Sequence, residues 1–254
     1  MATQDVAIVT GSGRGLGAAI AQGLARRGIP VVINYRSHEE EARKTAERIH
    51  QEGGHALVVQ ADVTEDTQVS SLFDAVEAVF GPVTIVVNNA LVGFQFDPVN
   101  RPPFTDLSWQ DFRDQWEGSV KAAYLTTRRA LAGMKEAHHG RIVNILSDLI
   151  FHPSVPYHNY VSAKSGLLGL TRTLAVELGP FNITVNAVAP GLIYPTTASR
   201  ATPERLRNEL AARTPLGRVV TPEDVVAPVL FFASPEAAMV TGQCLIVDGG
   251  LMMR

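Results

Sequence analysis

Seven short apolar runs punctuate the chain, at residues 6–10, 31–35, 56–60, 83–87, 141–146, 183–188 and 244–248, with longer amphipathic segments between them. Such runs read as strands buried on both faces, since a strand with one wet face would alternate apolar and polar residues. Strands that alternate with helices join through right-handed crossovers into a parallel sheet covered on both sides. The expected fold is therefore α/β: a single domain over residues 1–254 with a doubly wound seven-stranded parallel sheet, helices on both faces, and any ligand at the carboxyl ends of the strands. A chain of 254 residues, 46% apolar and 19% charged, is long enough to bury one large core.

Charge and composition remove several classes of function. A net charge of -3 gives no basic field for nucleic acid or an anionic membrane surface. None of the apolar runs approaches the roughly eighteen residues of a membrane span. The first strand begins almost at once, with no charged region and apolar stretch before it, so a cytoplasmic protein is expected. Cys244 is the only cysteine, which excludes an internal disulfide, and its place in CLIV reads as a core thiol. The seven histidines show no ligand spacing, and His138 and His139 are adjacent, so no metal is expected.

Two local patterns bring chemistry. The first apolar run leads into TGSGRGLG and then the helix-like AAIAQGLARRG. Gly11, Gly15 and Gly17 allow a tight turn, close approach of a pyrophosphate, and close helix-on-strand packing, while the helix N-terminus offers free N–H groups to phosphate. In the second pattern, Tyr160 and Lys164 lie four apart and so share one face of a helix. An ammonium beside a phenol favours the phenolate and draws its pKa down from about 10, toward the range where a group both gives and takes a proton. Ser147, thirteen residues before Tyr160, ends the run RIVNIL and can meet that phenol across a strand-to-helix crossover. Tyr157 is the competing phenol, but Lys164 would then be two turns away. Each pattern by itself also fits a bland reading: a solvated helix face for YxxxK, a flexible turn for the glycines.

TGSGRGLG, NNA at 88–90, Ser147 followed by YVSAK, Pro190–Gly191 and VTGQCLIVDGG occur in one order over about 240 residues. In these the chain resembles the short-chain dehydrogenase/reductase family, and within it the 3-oxoacyl-carrier-protein reductase branch. The resemblance implies a Rossmann fold, a nicotinamide cofactor, hydride transfer to or from a small-molecule carbonyl or alcohol, and a homotetramer. It implies that Tyr160 protonates the carbonyl oxygen, Ser147 holds it, and Lys164 lowers the tyrosine pKa and binds the nicotinamide ribose. It places cofactor contacts at Gly11, Ser12, Arg14, Gly15, Leu16, Gly17, Asn89, Pro190, Gly191 and Ile193. Asp62 and Val63 match the adenine-reading pair, and Asn88 and Ala90 the residues flanking the adenosine ribose.

Cofactor choice is read at the end of the second run, VVINYRS. A site for NAD commonly places a carboxylate there, on the ribose 2'-hydroxyl. Tyr35 occupies that position, with Arg36 beside it and Arg14 in the glycine loop, two guanidinium groups suited to a 2'-phosphate. NADP(H) is therefore expected over NAD(H), the alternative being that Arg36 merely begins the exposed helix RSHEEEARKTAERIH and pairs with its glutamates.

The chain departs from the family pattern in three places. Ser119, in WEGSVKAAY, stands at the fourth catalytic position, where relatives usually have an Asn that holds a helix kink and a proton-relay water. Leu91 replaces the glycine of NNAG and is expected to narrow the nicotinamide end. His138 and Val176 stand where carrier-protein reductases tend to have basic residues. An alternative reading is a catalytically weakened NADP-binding protein acting as sensor or partner, supported by Ser119 and Leu91. A nucleotide-sugar epimerase of the extended branch is disfavoured by the glycine spacing. Substrate choice is assigned to loops 91–107 and 191–215. The latter is expected to be a lid hinged at Gly191 with Tyr194 facing the ligand, while the proline-rich 97–105 reads equally as a border of the pocket and as a surface excursion. The small residues Ser165, Gly166 and Gly169 and the apolar tail LIVDGGLMM suggest self-association.

Overall fold

The computed structural model describes residues 5–253; residues 1–4 and 254 of the expected domain lie outside them. Among the described residues seven strands, β1 (Ala7–Val9), β2 (Val31–Tyr35), β3 (Ala56–Gln60), β4 (Ile85–Asn88), β5 (Gly140–Ile145), β6 (Ile183–Pro190) and β7 (Cys244–Val247), form one sheet in the order 3-2-1-4-5-6-7. Every pairing is parallel, as the alternation required. The fourth strand starts two residues later than expected, and at its entry the Thr84 hydroxyl accepts the Val6 N–H at 3.2 Å.

Successive strand residues feed opposite cores. Val9, Ile33, Val87 and Val188 pack with Ile20 and Leu24 of α1 (Gly15–Arg26), Ile49 of α2 (Glu39–Gln51) and Val229 of α8 (Pro222–Phe232). Ile8, Val32, Val86 and Val185 pack instead with Leu72 and Phe73 of α3 (Asp66–Phe80), Met134 of α5 (Ala122–Ala137) and Leu178 of α6 (His158–Leu178). Two apolar faces thus explain the uninterrupted runs.

Ahead of α5, α4 (Trp109–Trp116) opens on a Ser108–Asp111 capping box. A five-residue π-helical turn at Glu117–Lys121 joins α4 to α5. The remaining helix, α7 (Glu204–Arg213), stands in the segment after β6. Cys244 is half-buried rather than a core thiol, because β7 is an edge strand with only β6 beside it.

Candidate active site

A cleft with a volume of about 550 Å³ runs along the carboxyl ends of the strands, within the ordinary range for cofactor and ligand sites. Its first end is the β1–α1 turn. Gly11 (φ +63°) and Gly15 (φ +56°) adopt backbone that disfavours side chains. At Gly17 the constraint is space: a Cβ there would meet the Asn89 amide nitrogen at 2.5 Å and the Gly11 carbonyl at 2.6 Å. The helix behind this turn has no side-chain cap on its first N–H groups, which leaves them suited to an anion.

Gly11, Arg14, Gly15, Leu16, Gly17, Tyr35, Arg36, Asp62, Val63, Asn89, Ala90, Pro190, Gly191 and Ile193 all line this cleft. Ser12 does not. Its hydroxyl donates to the Val9 carbonyl at 2.7 Å and accepts the Asn34 N–H at 3.0 Å, and its own N–H reaches the Asn34 carbonyl, so it ties β1 to β2 instead of facing a ligand. Asn88 is likewise a core residue. It donates to Asn144 at 2.8 Å and accepts from Thr126 at 2.6 Å, while Asn144 donates to Thr171. This buried network joins β4 and β5 to α5 and α6.

At the rim, Arg14 pairs with Glu41 at 3.1 Å and Arg36 with Asp62 at 3.6 Å. Both guanidinium groups are about half exposed, so each pairing is worth no more than about 1 kcal/mol and is readily exchanged for a phosphate.

The other end of the cleft holds Ser147, Tyr160 and Lys164. Ser147 ends the β5 segment, and its hydroxyl accepts the Leu149 N–H at 3.3 Å. Tyr160 and Lys164 stand in the first turns of α6, both buried. The Lys164 ammonium donates to the Ile145 carbonyl at 2.8 Å and lies 5.8 Å from the centre of the Tyr160 ring. Burial pulls Lys164 down to about 8. The expectation that Lys164 lowers the Tyr160 pKa is not met in this arrangement: burial raises the phenol pKa, the Ser147 hydroxyl opposes that, and Asp148 adds to it. Tyr157 is buried between Phe94 and Phe96 and does not line the cleft.

Ser119 is buried in the π-helical turn and does not reach the main cleft. It lines a separate cavity of about 10 Å³ together with Thr10, Asn88 and Lys164, room for about one water.

The loops differ from expectation. Leu91 lines the cleft, but Asp97–Thr105 does not; the bordering residues are Phe94, Gln95 and Phe96 just before it. Phe94 stacks on Tyr160 with ring centres 4.0 Å apart and planes 15° apart. Tyr194 turns away from the cleft, its ring covered by the Arg207 guanidinium at 3.9 Å. At Gly191 the backbone passes so close to Asp248 that a Cβ would lie 3.1 Å from that side chain, a packing reason for glycine beyond any hinge. Gly166 is filled against Trp116 of the same chain, leaving only part of the small-residue face open. Phe94 and Asp148 escaped the sequence reading because neither carries a spacing signal. Among the described residues no cluster of His, Cys, Asp or Glu is arranged to hold a metal, and no helix is long and apolar enough to cross a membrane.

Residues 11–252 match the family model described as enoyl-(acyl carrier protein) reductase. The chain belongs to the short-chain dehydrogenase/reductase family. It is 38% identical over 248 residues to 3beta-hydroxysteroid dehydrogenase 1 of Eggerthella lenta, covering 97% of this chain and 93% of that protein. It is 35% identical over 246 residues to a 3-oxoacyl-acyl-carrier-protein reductase of Aquifex aeolicus, covering 97% and 96%, in keeping with the branch that its motifs resemble. Among solved structures, gluconate 5-dehydrogenase from Burkholderia cenocepacia with NADP and tartrate superposes with a TM-score of 0.88 at 32% identity, covering 97% of this chain and 94% of that one. A 7α-hydroxysteroid dehydrogenase complexed with NADH and 7-oxo glycochenodeoxycholic acid does so at 0.90 and 31%, covering 98% of this chain and 94% of that one. The protein is thus an oxidoreductase of CH–OH and C=O groups that uses a nicotinamide cofactor.

Proposed function

We propose that this protein is an NADP(H)-dependent carbonyl reductase and alcohol dehydrogenase acting on a ketone or 3-oxoacyl thioester. The observation that supports this most is one continuous cleft with Arg14 and Arg36 at one end and Ser147, Tyr160 and Lys164 at the other. The dinucleotide fits the chain's own geometry: the uncapped α1 N-terminus and the bare Gly15 suit its pyrophosphate, and the two rim guanidinium groups suit a 2'-phosphate. When bound, the nicotinamide supplies or accepts the hydride.

The side chains supply the rest. Ser147 donates a hydrogen bond to the substrate oxygen, and Tyr160 passes its proton to that oxygen as the carbonyl carbon is reduced. A raised phenol pKa keeps Tyr160 protonated and ready to donate. Lys164 and the water-sized cavity beside Ser119 form the route by which the proton is replaced; serine, with one donor and two acceptor sites, can hold such a water in place of the usual amide. The segment 191–215 closes over the substrate, and the protein works as a cytoplasmic homotetramer.

The reading is tested by following NADPH and NADH consumption across a panel of ketones, aldehydes and acyl thioesters. It expects turnover with at least one carbonyl class and a higher kcat/KM with NADPH. Tight NADPH binding with no turnover of any carbonyl would favour the weakened, cofactor-sensing alternative that Ser119 and Leu91 suggested.

A further inference from the structure

Asp148 helps to raise the Tyr160 pKa but neither gives nor takes a proton in the transfer just described, although its carboxyl sits beside that chemistry. It follows Ser147 directly, and the Ser147 hydroxyl donates to its Oδ1 at 3.3 Å, a bond that the hydroxyl gives up when it turns its single proton to a substrate oxygen. It lines the cleft and is only partly exposed there. Across Gly191 stands a second carboxyl, Asp248, close enough that a Cβ on Gly191 would touch Asp248 on one side and lie 3.3 Å from Asp148 Oδ2 on the other.

The two carboxyls are used differently. Asp248 accepts the Gly250 N–H at 2.9 Å on one oxygen and the Met252 N–H at 2.8 Å on the other, which spends it on the turn after β7. Among the described residues the charge that acts on Asp148 is that of Asp248, while Lys164, Arg200 and Arg213 line the same cleft. Burial and the Asp248 charge push Asp148 up to about 7, so it is present both with and without its proton near neutrality. A group in that state donates or accepts, and a hydroxyl can answer either way.

We propose that Asp148 is a substrate-recognition residue that hydrogen-bonds a hydroxyl on the carbon next to the reacting carbonyl, so that the site selects vicinal hydroxy ketones over plain ketones. The position follows from Ser147, which holds the reacting oxygen. With the carboxyl 3.3 Å from that hydroxyl, a substrate hydroxyl on the neighbouring carbon is within reach of Asp148 while the carbonyl oxygen is held by Ser147. The inference rests on the carbonyl-reductase reading above.

The test compares 2-hydroxycyclohexanone with cyclohexanone as substrates of the full-length protein with NADPH. The wild type is expected to favour the hydroxy ketone in kcat/KM by roughly tenfold or more, the size of one hydrogen bond to a charged or acidic group. Asp148→Ala should bring the two substrates level, mainly through the KM of the hydroxy ketone. Asp148→Asn, whose amide still pairs with a hydroxyl, should keep most of the preference. Both variants should melt no lower than the wild type, since each removes a carboxyl facing Asp248. Equal kcat/KM in the wild type, a preference that survives Asp148→Ala, or NADPH binding with turnover of neither ketone would each overturn the proposal. Failure to bind NADPH at all would instead overturn the reading beneath it.

Discussion

At the dinucleotide end of the cleft the shape is set by backbone, and at the substrate end by side chains borne on loops. The β1–α1 turn allows no Cβ at Gly17 and disfavours one at Gly11 and Gly15, so its form follows from three glycines between a strand and a helix. The substrate end is assembled from Leu91, Phe94, Asp148, Leu192 and Leu251, which arrive from four separate loops. A backbone-built region fixes what is common to a family. A region built from loop side chains is free to change what is bound without disturbing the sheet beneath it.

Four substitutions break or sharpen this contrast. The largest effect is expected for Tyr160→Phe, which removes a proton donated only in the transition state. Its kcat should fall at least about a hundredfold with NADPH affinity nearly unchanged, and a variant retaining most of its turnover would remove Tyr160 from the role of acid. At the opposite end, Arg36→Ala should weaken NADPH by about tenfold or more and leave NADH almost untouched, as expected from losing about 1.5 to 3 kcal/mol of charge-assisted bonding. Equal losses for the two cofactors would show instead that Arg36 serves only its pairing with Asp62.

Gly17→Ala probes the backbone itself. The added methyl must displace the Asn89 amide or the Gly11 carbonyl, so a cost of about 1 to 3 kcal/mol is expected, read as a Tm lower by several degrees with poor binding of either cofactor. An unchanged Tm would mean that the turn is softer than its contacts indicate. The smallest effect is expected for Ser119→Asn. If the small cavity beside Lys164 holds the relay water, the larger amide should preserve kcat or raise it a few-fold. A lower Tm together with lost activity would show that the turn is packed around serine, with no room for the amide.

The same contrast governs what could be read from the residues. The sheet was legible because a strand buried on two faces must be apolar throughout, and the seven runs say so directly. The glycine turn, Ser147 and the Tyr160–Lys164 pair were legible because their chemistry depends on short, fixed spacings. Ser12 and Asn88 were misplaced by a resemblance that marks positions without saying which way a polar side chain turns; both are consumed by hydrogen bonds inside the sheet. Tyr194 was misassigned for a similar reason, since Arg207, one helix later, claims its ring. Phe94 on Tyr160 and Asp148 against Asp248 are tertiary meetings of residues far apart along the chain or carried by irregular backbone, and no periodicity announces them.

The π-helical turn at Glu117–Lys121 works as an angular offset within a nearly continuous rod. One additional residue in a turn rotates everything beyond it by about 100°. That rotation lets Gln115, before the turn, address the Val92 carbonyl of the cleft loop, while Thr126, beyond it, reaches Asn88 and Met134 reaches the core under β5. Deleting any one residue from the turn would leave a regular helix pointing its Thr126 and Met134 face away from the sheet. This stretch is therefore far less tolerant of a change in length than of a change in residue.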